Sequence, residues 1–273
     1  MHIWYQTMAD ISRYPEYGDS LRRRAVGILR SDTELDVHGV AEGTYGELPP
    51  SSVSIHPLAY HVLLDQVIGN AIRAEREGCN VLALGSYSEP HLRVIRSAVD
   101  IPVVSLAEST LLTAMTLGRR IGLVTVTKPV AWMIEHHIDA HGLRDRVLPV
   151  QVIEPEVSED ELNASFAAPG KLISAFRETA RRAIDDYADV IIPAEGVLSQ
   201  VLSDHDVTSI DGVSVMDCVA VTLAHAEMMG VLNAATGLIQ GRRWEYPMVS
   251  DAIRTRLVEH AATTPLSSAR LSP

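Results

Sequence analysis

Cysteine is nearly absent from this chain: two residues, Cys79 and Cys218, in 273. Two thiols make no disulfide framework, and each sits where a plain buried thiol is expected. Cys79 follows the polar stretch Glu75-Arg76-Glu77-Gly78 just before an apolar run, and Cys218 lies inside an apolar helical pattern. Long hydrophobic runs are also missing: no segment approaches the roughly 20 apolar residues that span a bilayer, so no membrane is expected as a partner. The opening Met1-His2-Ile3-Trp4-Tyr5 lacks a basic region followed by an apolar run, so no signal peptide is expected and a cytoplasmic protein is. Basic charge is in deficit, 23 Lys and Arg against 35 Asp and Glu, a net charge of -12 with no basic stripe. Nucleic acid is therefore not an expected partner.

The common signatures of cofactor and nucleophile chemistry are missing too. No G-x-G-x-x-G follows a strand pattern, and neither H-E-x-x-H nor C-x-x-C occurs. Ala168-Pro169-Gly170-Lys171-Leu172 lacks the hydroxyl after Lys and the earlier Gly of a phosphate-binding loop. Ser86 is not part of a G-x-S-x-G turn. His137 and His141 are four apart, a spacing that suits a metal, but with His136 beside them they read first as the polar outer face of a helix. His38, His56, His61 and His91 show no pattern that ties them into a ligand set. No cofactor is expected, and a divalent metal is left as an option without a clear set of ligands.

What the chain does have is apolar substance, 47% hydrophobic residues against 21% charged, enough for one large domain or two small ones. Strand patterns at Ile3–Tyr5, Leu35–Val40, Asn80–Leu84 and Ile101–Leu106 alternate with helical ones at Ser20–Ser31, Pro57–Glu77, Pro90–Ala98 and Ala107–Leu117. On the second of these helices Leu58, Val62, Leu63, Val67 and Ala71 are in register. The pattern then restarts: strands at Arg120–Val126, Val147–Ile153, Val190–Ile192 and Gly212–Val215, with helices at Lys128–His141, Gly170–Ala188, Val219–Met229 and Ser250–Ala262. Such alternation predicts an α/β fold with parallel sheets and right-handed crossovers. Two similar Rossmann-like lobes related by a pseudo-twofold axis are expected, residues 1–117 plus 218–273 forming the first and 118–217 the second. The site is expected between them.

Ligands in open parallel sheets bind at the carboxyl ends of strands. Two such ends stand out. Val81-Leu82-Ala83-Leu84 runs into Gly85-Ser86-Tyr87-Ser88-Glu89-Pro90, and Val190-Ile191-Ile192 into Pro193-Ala194-Glu195-Gly196. A plain reading of the first is a strand-to-helix turn in which Ser88 or Glu89 satisfies free helix amides. A plain reading of the second is a carboxylate held by a helix N-terminus or an Arg. Glu195, however, follows a buried strand and should be short of water, which raises its proton affinity and suits a general acid or base. These tips are expected to face each other across one small-molecule site.

The run Ala83 to Pro90 followed by Val99-Asp100-Ile101-Pro102-Val103-Val104-Ser105-Leu106-Ala107-Glu108, together with Gly118-Arg119-Arg120-Ile121-Gly122-Leu123-Val124-Thr125, Val190 to Gly196 and Ile210-Asp211-Gly212-Val213, resembles the aspartate/glutamate/hydantoin racemase superfamily. The resemblance implies a cofactor-independent site that removes a proton beside a carboxylate or ureide carbonyl, using two opposed cysteines. At those positions this chain has Ser86 and either Ala194 or Glu195, so a two-thiol racemase is not expected. It further implies Gln6 near the first tip and Thr125 and Thr127 at a hydroxyl-bearing tip. The long polar, Gly- and Pro-rich stretch 41–52 reads as a loop, and Tyr45 within it is expected to close over the ligand. The amides at Tyr87 and Ser88, and at Gly196 and Val197, are candidates to hold carboxylate or carbonyl oxygens. The expected function is isomerase- or lyase-like acid/base chemistry by Glu195, with Ser86 as hydrogen-bonding partner or nucleophile, on a small carboxylate or cyclic ureide. Alternatives are a metal-assisted or water-activating hydrolase opening a hydantoin-like ring, and a non-catalytic binding protein. A homo-oligomer is expected.

Overall fold

The computed structural model describes residues 1–253, 255 and 256. Strands β1 (His2–Gln6), β2 (Glu34–His38), β3 (Val81–Leu84) and β4 (Val103–Ser105) pair in parallel in the order β2-β1-β3-β4. Strands β5 (Ile121–Thr125), β6 (Gln151–Val152), β7 (Val190–Pro193), β8 (Ser209–Ile210) and β9 (Val213–Val215) form a second sheet in the order β6-β5-β7-β9-β8. The second sheet thus repeats the strand order of the first and adds β8 at its edge. β3 and β7 are central and buried throughout, which is why they read as unbroken apolar runs instead of alternating ones. β8 departs from the all-parallel expectation. Asp211 and Gly212 both adopt positive φ, 49° and 84°, and close a two-residue hairpin that sets β8 antiparallel to β9.

The helices are α1 (Pro15–Ile28), α2 (Pro50–Ser54), α3 (Pro57–Arg76), α4 (Leu92–Ala98), α5 (Leu106–Leu117), α6 (Lys128–Ala140), α7 (Glu159–Ala164), α8 (Gly170–Asp185), α9 (Gly196–Asp204) and α10 (Cys218–Thr236). α1 begins a turn and more before the expected Ser20, because Pro15 occupies its first turn, where no amide partner is lost. α2 begins inside the expected loop at 41–52, and α7 lies where no element was expected. α7 is started by a capping box in which Ser158 and Glu161 satisfy each other's backbone amides. On α3 the buried stripe is Leu63, Leu64, Val67, Ala71 and Ala74, whereas Leu58 and Val62 are exposed. The expected last helix, Ser250–Ala262, falls largely outside the described residues.

One face of each sheet meets a shared core. Ile3, Tyr5, Val81 and Ala83 of the first sheet, Ile121, Leu123 and Ile192 of the second, and Leu223 of α10 belong to a single apolar cluster. The opposite faces are covered separately, by α3 and α4 residues such as Val67 and Ile95 on the first sheet and by Phe176 of α8 and Leu198 of α9 on the second. α10 corrects the expectation that no segment is apolar enough to span a bilayer: it has 19 residues and a mean hydropathy of 1.3. Its buried residues Val219, Leu223 and Ala226 pack on α5, α1 and β3, the docking of a core helix.

Candidate active site

The carboxyl ends of β1, β3, β5 and β7 open onto one cavity of about 130 Å3. From the first sheet come Thr7, Gly85, Ser86, Tyr87 and Ser88; from the second come Thr127, Ala194, Glu195, Gly196 and Val197. The two tips approach closely enough that a Cβ on Gly196 would lie 3.4 Å from the Gly85 carbonyl oxygen and only 2.7 Å from the Tyr17 hydroxyl. Glycine at 196 is therefore required by space. The walls are Tyr14, Tyr45, Tyr60, Leu63, Val126 and Met133, aromatic and apolar.

Each expected residue has a distinct fate. The Ser86 hydroxyl faces Ser88 at 2.9 Å and accepts the Ser88 amide N–H at 3.2 Å, so this tip is a turn closed on itself. Tyr87 turns its phenol inward, to Thr110 Oγ1 at 2.7 Å and to Cys218 Sγ at 3.4 Å. Glu89 does not cap the following helix as expected: its carboxylate accepts from Ser105 and His141. Gln6 does not reach the cavity. Its amide donates to Thr7 O and Gly39 O and its oxygen accepts from Trp4 and Asn70, which satisfies the whole group as a brace between β1 and its neighbours. Thr125 is fully buried and donates to Ala194 O at 3.0 Å, tying the β5 and β7 tips together away from the cavity. Thr127 lines the cavity and caps α6 through Val130 N–H. Tyr45 is already closed over the cavity, with its hydroxyl donating to Met8 O at 2.7 Å.

Glu195 caps α9, its Oε2 accepting the Leu198 amide at 2.6 Å, with the Gly196 and Val197 amides directed at the same carboxylate. Those amides are thus engaged by Glu195 itself rather than free for substrate oxygens. Burial pushes the carboxyl up to about 7, against the opposing pull of these amides; the charge of Glu159 adds to the rise. A folded value above the ordinary 4.5 means that Glu195 contributes stability at low pH and that this contribution is lost as pH rises through about 7. The Glu195→Gln variant should accordingly lose less stability than the parent between about pH 5 and about pH 8 in urea unfolding; identical pH slopes would contradict the burial account.

Sequence reasoning missed Thr7, Tyr14, Tyr17, Tyr60 and Glu159. Thr7 was legible as the residue after the β1 tip; the tyrosines carry no local signal. Glu159 accepts from the Ser51 amide at 2.7 Å and from its hydroxyl at 3.1 Å, which joins α7 to α2 across the cavity mouth. Tyr17 is held neutral by burial and by the nearby Glu195 charge. Among the described residues that line the cavity there is no Lys, Arg or His, and the ionisable carboxyls are Glu159 and Glu195. Neither cysteine is on the lining: Cys79 lies beside His2 at 3.6 Å, and Cys218 is buried behind the tips against Tyr87 and Pro193. The expected outer face for His137 and His141 is also corrected, because both turn toward Glu89 while His136 stays exposed against Trp132. No group of three or more His, Cys, Asp or Glu among the described residues is placed to hold a metal ion.

Two sheets of matching strand order with a cavity between their strand ends define a two-lobed α/β fold. The chain belongs to the Asp/Glu/hydantoin racemase family, whose model matches residues 44–226. It is 25% identical over 228 residues to a hydantoin racemase of Pseudomonas sp. (strain NS671), covering 83% of this chain and 85% of that one. In fold it is similar to an allantoin racemase from Klebsiella pneumoniae, with a TM-score of 0.72, 17% identity and coverage of 92% of this chain and 94% of the other. A second allantoin racemase, from Pseudomonas fluorescens, gives 0.71, 19% identity and coverage of 91% and 97%. A mutant of arylmalonate decarboxylase shares the fold at 0.56 and 16% identity, covering 85% and 94%.

Proposed function

We infer that the protein is a one-base carbon-acid enzyme acting on a neutral cyclic ureide, with Glu195 as acid/base and Ser86 as a hydrogen-bonding partner. The observation that carries this is the Glu195 carboxyl, pushed up to about 7 at the β7 tip, on the same cavity as Ser86, with no cationic side chain among the described lining residues. Charge selects between the two substrate classes. A substrate carboxylate would sit beside Glu159 and Glu195 with no cation among the described lining residues to offset desolvation, which disfavours it. A ureide ring brings no charge, only N–H donors and carbonyl acceptors. The relatives named for hydantoin and allantoin, both cyclic ureides, support that choice.

In the step itself, ionised Glu195 takes the proton from the ring carbon beside a carbonyl. The C–H electron pair moves into the ring as an enolate, with charge on the carbonyl oxygen. Within the Ser86–Ser88 pair one hydroxyl donates to the other, and the proton of the second is the donor assigned to that oxygen. Glu195 then returns a proton to the same face, which restores the substrate, whereas slower delivery of a water proton to the opposite face gives the inverted carbon. A pKa close to the working pH serves both directions. Two-thiol chemistry has no residues here, because the tips hold Ser86, Ala194 and Glu195. For the metal-assisted alternative, no histidine stands beside Glu195 among the described lining residues to complete a ligand set.

One base on one face predicts that a single enantiomer of a monosubstituted hydantoin exchanges its ring C–H with D2O faster than it inverts. Proton NMR follows the exchange and polarimetry follows inversion, each against an enzyme-free control. Absence of enzyme-dependent exchange would sink the carbon-acid reading, and inversion as fast as exchange would sink the one-base form of it.

A further inference from the structure

Behind the Ser86–Ser88 tip lies a second, wider cavity, about 980 Å3, that shares Ser54, Tyr60, Ser88 and Met133 with the first. On the wall between them stands Glu89, 6% exposed and in the left-handed region at φ 41°, with His91 at φ 50° two residues on. Non-glycine residues hold such φ values at a cost and only where their surroundings enforce them. The enforcing contacts come from the other sheet's helix. His141, the C-cap of α6, places Nε2 at 2.6 Å from Glu89 Oε2, and His137, one turn earlier, places Nδ1 at 3.6 Å from the same oxygen. The His137 ring also bonds the Ser88 backbone. The remaining Glu89 oxygen accepts from the Ser105 hydroxyl at the start of α5. The turn that carries Ser86 and Ser88 is thereby fastened to α6, which follows β5 of the second sheet.

We propose that Glu89, His137 and His141 form a proton-dependent latch between the two halves, positioning the Ser86–Ser88 tip against Glu195 while His141 is protonated. His141 is the member suited to carry charge. Its bond to Glu89 raises its proton affinity above the ordinary imidazole value and outweighs its burial, and the C-terminal end of α6 favours a cation there. Glu108 on α5 acts in the same direction and Arg96 on α4 against it, but Arg96 is itself paired with Glu108 and bonded to Tyr246. His137 is lowered by burial, in spite of Glu89 and with His141 and His136 opposing its charge, so it serves as a neutral donor. Glu89 stays ionised: the His141 bond and charge and the Ser105 bond overcome its burial and hold it below the ordinary carboxyl value.

The sign follows. Below the ordinary imidazole range the Glu89–His141 ion pair is complete; as pH rises through the raised His141 value the cation is lost and a buried carboxylate faces neutral imidazoles. The tip, already in a strained conformation, then loses its main restraint. These three are positioning residues. Their relevance to turnover rests on the Glu195 reading above, but the latch itself is measurable without any turnover.

The test uses the full chain. In the parent, NMR titration should place His141 above the ordinary imidazole range, and Glu89→Gln should lower it. Amide hydrogen exchange at residues 86–91 should accelerate about ten-fold across the His141 titration in the parent. It should be independent of that titration in His141→Gln, whose amide donates at every pH. If the ureide activity is present, KM should rise on the alkaline side in the parent and stay flat there in His141→Gln, with the acid limb of Glu195 retained in both. An unshifted His141 titration in Glu89→Gln, or tip exchange that ignores the titration in the parent, would overturn the latch. Should Glu89→Gln fail to fold, the His141→Gln comparison decides alone. A protein with no ureide activity but a titrating tip would keep the latch and remove the function proposed for it.

Discussion

The Glu195→Gln variant is expected to lose about 10²- to 10⁴-fold in kcat for ring C–H exchange, the range that a positioned acid/base contributes. Gln keeps the shape of the side chain and one oxygen that can still accept the Leu198 amide, so α9 should stay capped. Glu195→Ala removes both the acid/base and the cap, and a lost cap costs about 1 kcal/mol. The pair separates the two roles. Both variants should be equally inactive, and only the Ala variant should be clearly destabilised. A Gln variant whose kcat stays within about two-fold of the parent would reduce Glu195 to a helix cap. The parent should also gain kcat as pH rises through about 7, since the base must be ionised, and the Gln variant should lack that limb.

The second large effect lies in the support of the opposite tip. Gly85→Ala should destabilise the protein by about 3 kcal/mol and abolish measurable activity. A Cβ at this position would stand 2.3 Å from Tyr5 Cε1 and Cζ and 2.4 Å from its hydroxyl. Tyr5 is fully buried in the core shared by both sheets and has no room to swing away. The strand end must then shift, and with it Ser86. Because the collision is with the ring as well as the hydroxyl, Tyr5→Phe should not rescue the variant, whereas the smaller Tyr5→Leu should restore part of the stability. Urea midpoints of the single and double variants measure this. A loss under about 1 kcal/mol for Gly85→Ala would mean that the tip can yield.

The strand ends could be read from the chain because burial on both faces leaves a local mark, an unbroken apolar run stopped by Gly or Pro. That mark located Ser86 and Glu195, and the structure brings both onto one cavity. Two further signals were present in the sequence. Asp211-Gly212 is a two-residue hairpin turn, and Ser158 with Glu161 is a capping box that starts α7. Gln6 and Thr125 show the limit of position along a strand: it says that a polar residue stands near a tip, while neighbouring carbonyls decide whether its hydrogen bonds are already taken.

What the sequence determined by itself was the alternation of strands and helices, the two opposed tips and the lack of cysteine at either, since each is carried by residue types within short windows. What only the tertiary structure decided depends on residues far apart in the chain. Tyr17 lies against Gly196, Glu159 joins Ser51, the described lining of the cavity holds no cation, and His141 closes on Glu89. The physical reason is the same in each case. Charge, desolvation and close approach act through space, and the second partner comes from another element, so neither partner carries a local sign of the other.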